Sequence, residues 1–174
     1  VRAVHPEPPI PGPLPVASPT RPEPAAAPAP RVSGTVQDTL KMAYSEKLGD
    51  TAPSATVEMM LQPGGASSPW IKLSNGDAVS SADNYRILFT CDEPAHFYVF
   101  QIDSRGKLDW IFPRNEVEYS FGTNPVKPGT WVQLPEGDGA FQLDNAVGIE
   151  HIYVIATSKP WEALQKALAK ATAA

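Results

Sequence analysis

The chain has 174 residues, a net charge of −5, one cysteine and twenty prolines. This mildly acidic balance lacks the basic footprint of a nucleic-acid or anionic-membrane binder, and a lone cysteine excludes an internal disulfide and a Cys-rich metal site. No apolar run approaches the roughly eighteen residues of a membrane-spanning helix.

Eleven of the twenty prolines fall within residues 1–31, in text such as Pro6-Glu7-Pro8-Pro9-Ile10-Pro11. Each proline fixes its own φ, removes a backbone donor and pushes the preceding residue to an extended conformation. The segment reads as a polyproline-II-like strap, on the order of 90 Å long when fully extended. Such a strap is a spacer or a ribbon laid along a partner, and Pro8, Pro9, Pro11, Pro13 and Pro15 are its candidate partner-binding residues. The expected division is a strap or linker over residues 1–33 and one domain over 34–174, a size that supports a single core.

Within residues 33–49, Leu40, Ala43 and Tyr44 stand at helical spacing before Leu48-Gly49, which predicts a short helix. The period then changes to two. Residues 55–61 read as a strand with Val57, Met59 and Leu61 on one face, ended by Gln62-Pro63-Gly64-Gly65. Residues 70–73 form a second strand, closed by the turn text Ser74-Asn75-Gly76-Asp77. Tyr85, Ile87, Phe89 and Cys91 then alternate with Arg86, Leu88 and Thr90, a strand with one buried face in which Cys91 is a small core residue. Residues 96–102 are apolar on both faces, as expected of a central strand covered on two sides. Asp103-Ser104-Arg105-Gly106-Lys107 turns the chain into residues 108–112, completing a hairpin.

Residues 113–128 form an irregular loop, in which Tyr119 and Phe121 are candidate partner anchors or a cover for an open end of the domain. Residues 130–134, 140–143 and 150–157 complete the strands. Ser158-Lys159-Pro160 opens a helix over 159–172, with Pro in its first turn and Trp161, Leu164, Leu168 and Ala171 in one stripe. Seven or eight short strands and this helix predict an all-β antiparallel sandwich, immunoglobulin-like or a half-open barrel, with a flanking C-terminal helix.

Tyr98-Val99-Phe100-Gln101-Ile102-Asp103-Ser104-Arg105-Gly106-Lys107-Leu108 runs into Ile111-Phe112-Pro113. Gly148-Ile149-Glu150-His151-Ile152-Tyr153-Val154-Ile155-Ala156-Thr157 follows later, and Asn75-Gly76-Asp77 stands upstream. In order and spacing these resemble the bacterial domain-of-unknown-function family DUF4384, with its "YVFxxDxxGxLxxLFP" hairpin and "GxExxYVIAS" strand, over about residues 76–161. The resemblance implies an all-β domain of exported or multidomain bacterial proteins, often beside signalling or protease-like modules. It implies no reaction. The departure is a Pro-rich strap where an enzyme partner domain would stand.

Asp103 and Glu150 are the carboxylates these words single out, and paired carboxylates can divide acid and base roles. Turn chemistry favours structure instead: Asp103 begins a hairpin turn, where Asp caps backbone donors, and Glu150 at a strand start pairs with a backbone donor or a basic residue. His5, His96 and His151 lack metal-ligand spacing, although the strands opened by His96 and His151 can be neighbours. No nucleophile elbow, phosphate loop or dinucleotide fingerprint occurs, so no cofactor is expected. Trp70, Trp110 and Trp131 fall in predicted strands, where core or interface burial competes with a sugar-stacking platform.

The expectation is a non-enzymatic accessory or structural subunit of a bacterial cell-envelope assembly. It would dock on other protein subunits, membrane-bound ones included, through the strap and an aromatic loop or edge. The alternatives are a tethered ligand-sensing or carbohydrate-binding module lined by Trp110, Trp131 or Tyr119, and a hydrolase using Asp103 and Glu150. With neither an initiator Met nor a hydrophobic leader, the chain reads as a product or fragment whose leader or anchor is gone. The strap, of the kind that links an envelope domain to its anchor, points to the periplasm or cell envelope.

Overall fold

The computed structural model describes residues 52–113 and 123–172. The expected helix within 33–49, the strap, and the anchors Tyr119 and Phe121 lie outside the described residues.

Among the described residues eight strands and one helix follow in order: β1 (Ala55–Gln62), β2 (Ile71–Leu73), β3 (Asn84–Cys91), β4 (His96–Ile102), β5 (Leu108–Phe112), β6 (Val132–Leu134), β7 (Phe141–Gln142), β8 (His151–Thr157) and α1 (Glu162–Thr172). All pairings are antiparallel. One sheet runs β2-β1-β3-β6, with β7 also on β3; the other runs β5-β4-β8. Two separate sheets make this a sandwich rather than a half-open barrel.

The alternation in β3 sets the first core. Tyr85, Ile87, Phe89 and Cys91 are all buried, and they meet Phe97 and Val99 of β4, Ile111 and Phe112 of β5, and Val132 and Leu134 of β6. Phe89 lies 4.5 Å from Phe97 in a stacked pair and 5.6 Å from Phe112 edge-on. Cys91 is a core residue, its thiol pushed up by burial.

The opposite face of β4 builds a second core. Tyr98, Phe100 and Ile102 pack with Leu108 and with Trp161, Leu164, Ala167 and Leu168 of the helix. The three-strand sheet is thus a middle layer, and the central residues of β4, Phe97 to Phe100, are apolar on both faces.

Local departures from the expected pattern have identifiable causes. Gly129 at φ +68° and the bond from the Thr130 N–H to the Lys127 carbonyl (3.1 Å) hold a turn, so β6 starts at Val132. Trp131 therefore falls just outside β6; Trp70 likewise precedes β2, and of the three expected in strands only Trp110 lies within one. The strand expected over 140–143 shortens to Phe141–Gln142. Pro160 precedes the helix instead of occupying its first turn: the Trp161 carbonyl accepts the first helical bond, from Gln165 N–H at 3.1 Å. The Trp161 N–H itself donates to the Tyr98 hydroxyl at 2.6 Å, inside the second core. Helix start and middle sheet are bolted together there.

Replacing Tyr98 with Phe removes that acceptor and leaves a buried N–H unsatisfied. The expected loss is about 1–3 kcal/mol in urea unfolding, with the fold retained. Unchanged stability in Tyr98→Phe would show that the bolt contributes nothing.

Candidate functional site

The carboxylates singled out by the sequence meet at one end of the middle sheet, around the turn between β4 and β5. Asp103 begins that turn. Its Oδ1 accepts the backbone N–H of Arg105 (2.9 Å) and of Lys107 (2.7 Å), and its Oδ2 accepts two bonds from the Arg105 guanidinium at 3.0 and 2.9 Å. Arg105 also pairs with Asp144. Gly106 supplies the positive φ of +82° that closes the turn. Burial alone would raise the Asp103 carboxyl, but these backbone and guanidinium donors outweigh it and hold the group below its ordinary value.

Glu150 stands just ahead of β8. Its Oε1 accepts the Ser104 N–H at 3.3 Å and its Oε2 accepts the Gln101 side-chain amide at 2.9 Å. The Gln101 carbonyl oxygen in turn takes the Tyr85 hydroxyl proton at 2.6 Å, so the relay crosses from the middle sheet to β3. Burial, then the charges of Glu150 and Asp109, push the Tyr85 phenol well above its ordinary range. This polar chain closes one end of the first core.

Gly148 completes the clasp. A Cβ built there would sit inside the van der Waals envelope of the Ser104 Cβ and 2.8 Å from its Oγ. Only hydrogen fits between the β8 approach and the hairpin turn. Asp103, Gly106, Gly148 and Glu150 therefore share one geometric role, which is to fix the hairpin tip against the entry to β8.

The opposite end of the core is closed by Asn124, which the sequence did not mark. Strand β5 ends at Phe112, and past that end the Asn124 amide bonds the β4 backbone. It accepts the Phe97 N–H at 2.9 Å and donates to the Phe97 carbonyl at 3.1 Å. Val126 bridges to Ala95 beside it.

The remaining candidates separate. Strands β4 and β8 are neighbours but antiparallel, so His96 pairs with Thr157 and His151 with Ile102. The two imidazoles stand at opposite ends of the ladder, about 20 Å apart. Among the described residues no group of three or more His, Cys, Asp or Glu is placed to hold a metal ion. Trp110 is half-buried in the second core, its indole N–H donating to the Phe112 carbonyl at 2.9 Å. Trp70 lies under the Arg86 guanidinium, 4.3 Å from its ring centre. Trp131 is 50% exposed, on the other sheet from Trp110, so the two do not line one concave surface.

Residues 81–160 match the family model DUF4384, described as a domain of unknown function. The match spans β3 to β8 and holds the whole clasp. The DUF4384 words in the hairpin and in β8 thus coincide with the two sides of this junction. No curated protein and no solved structure gives a match.

Two measurements probe the clasp. Gly148→Ala is expected to destabilise the domain by about 1–3 kcal/mol, as overpacking does, and Ser104→Gly in the same chain to restore most of it; additive losses in the double variant would refute the contact. Because Asp103 titrates lower in the folded than in the unfolded chain, its contribution is complete above the ordinary carboxylate value and fades as pH falls through the lower folded value. Asp103→Asn should therefore be less stable than the unmutated chain at neutral pH, with the gap closing in acid below about pH 4. A gap that widens in acid would reverse the assignment.

Proposed function

We propose that the chain is a non-enzymatic accessory subunit of a bacterial cell-envelope assembly, a β-sandwich docking module carried on a Pro-rich strap. Support comes first from how the polar side chains of the described domain are used. All four oxygens of Asp103 and Glu150 accept bonds from this chain's own hairpin. A carboxylate held below its ordinary value and ringed by donors is a poor proton donor at neutral pH, which weighs against the acid–base hydrolase.

Apolar side chains, by contrast, are presented outward. Val147 is fully exposed, and Ile149 and Trp131 are about half exposed, each in a loop next to a strand. Such loop-borne apolar groups suit contact with another protein. The observation that carries the reading is this pairing of inward-spent polar chemistry with outward apolar tips, on a domain reached through eleven prolines in 31 residues. Pre-extended proline lowers the ordering cost of laying the strap along a neighbouring subunit. No helix among the described residues is long and apolar enough to cross a membrane.

The half-exposed Trp131 favours the second reading, a tethered carbohydrate-binding module, but it offers a single ring. Pull-down from native bacterial membranes with the full chain, compared with a chain lacking residues 1–31, separates the two. Co-purifying envelope proteins lost on deletion, with unchanged unfolding of the domain, are the expected result. Equal capture by the truncated chain would refute the strap's role, and glycan binding by the strap-free domain would move the assignment to the carbohydrate module.

A further inference from the structure

The edges of the two sheets are unequally protected. An open strand edge is a template for pairing, and natural sheets blunt it with short strands, bulges, proline and inward or central charges. Strand β2 has three residues with Lys72 at its centre, and β7 has two. Strand β6 runs straight into Pro135, and the free part of β1, residues 55–58, carries Glu58. Strand β5 carries an exposed Asp109 and meets β4 through a register shift at Val99/Phe100.

Strand β8 has none of these devices. His151-Ile152-Tyr153-Val154-Ile155-Ala156-Thr157 contains no proline, glycine or carboxylate, and its seven residues pair with β4 in unbroken register. Among the described residues no strand pairs with its other edge. Its first six residues are only half-buried, although Ile152, Val154 and Ala156 point to the first core and Tyr153 and Ile155 to the second. The helix lies nearest β5, at the far edge of the sheet, and leaves this margin less covered.

We infer that β8 is a homodimerisation edge, pairing antiparallel with β8 of a second copy about a two-fold axis at Val154. In that register Val154 faces Val154, Tyr153 faces Ile155, Ile152 faces Ala156 and His151 faces Thr157. Aromatic and β-branched residues meet directly across the pair, the favourable cross-strand combination. The acidic and basic residues nearest the strand are Glu150 before it, held inward by Gln101 and Ser104, and the exposed Lys159 two residues after it. An antiparallel two-fold sets the acidic end of one strand against the basic end of the other, twice. A parallel pairing would set like against like. The isologous contact closes on itself and joins the two middle sheets into one of six strands, β5-β4-β8-β8-β4-β5. A second copy is thus a better occupant than the strap, whose prolines lack the N–H groups a strand partner must donate.

The test uses the full chain. Light scattering across micromolar to millimolar concentrations should show a monomer–dimer equilibrium, and amide exchange should slow along β8 as concentration rises. Under mild oxidation Val154→Cys should cross-link into dimers, since opposed residues bring their Cβ atoms within disulfide reach. Ile152→Cys should not, because its two copies stand about 13 Å apart in this register. The unmutated chain, whose Cys91 is buried, serves as the control. A monomer at every concentration overturns the proposal even if the cysteine variants fail to fold. So does a monomer whose β8 amides are fully protected at all dilutions, since the edge is then covered by the chain's own residues. Equal cross-linking at both positions would overturn the register.

Discussion

Strand β4 turns apolar side chains to both faces from Phe97 to Phe100, with polar His96 and Gln101 toward its ends, and the architecture follows from covering both faces. Phe97 and Val99 require a sheet above them, and Tyr98, Phe100 and Ile102 require a cover below. The first demand is met by β3, whose four alternate side chains are buried against it. The second is met by a helix that would be marginal alone: eleven residues gain their stability from packing rather than propensity. Tyr98 serves both purposes, since its ring fills the second core while its hydroxyl caps the helix entry.

A three-layer stack of short strands has open ends, and these ends are closed with polar groups, each holding backbone. At one end Asn124 imitates the missing strand beside Phe97. At the other, Tyr85, Gln101, Glu150 and the Ser104 amide form a continuous relay between the sheets. Half-satisfied networks of this kind would be costly near a core, whereas here each member has its partner. Asp103, Gly106, Gly148 and Glu150 sit in family-like words because a hairpin tip must be fastened to a strand entry. That requirement is mechanical and independent of any substrate.

Much of this was legible from period and turn chemistry. The limits of β4 and β5, the buried face of β3, the Asp103 cap and the helix stripe at Leu164 and Leu168 all follow from local rules. The illegible parts depend on contacts distant in sequence. Nothing local in Gly148 says that Ser104 occupies the space where its Cβ would go, and nothing in Asn124 says that it replaces a strand 27 residues away. The strands opened by His96 and His151 are neighbours as expected, but they are antiparallel, and two such strands bring their opening histidines together only if they run parallel. Trp131 was mistaken for a strand residue because its apolar neighbours Val132 and Leu134 extend the alternation, while Gly129 delays the strand by two residues.

In the proposed reading the Pro-rich segment and the β8 edge take different partners. A Pro-rich segment loses a backbone N–H at every proline, eleven times in residues 1–31, so its composition suits an aromatic groove better than a strand ladder. The β8 edge offers both donors and acceptors at strand spacing and can be completed only by backbone with the same pattern. In the proposed arrangement, occupation of one leaves the other available. Two copies joined along β8 would present two straps. A target bearing two grooves within reach would then hold the pair far more tightly than a single strap, through effective concentration alone. If both proposals hold, pairing along β8 would multiply the affinity of one Pro-rich segment for a groove on its target.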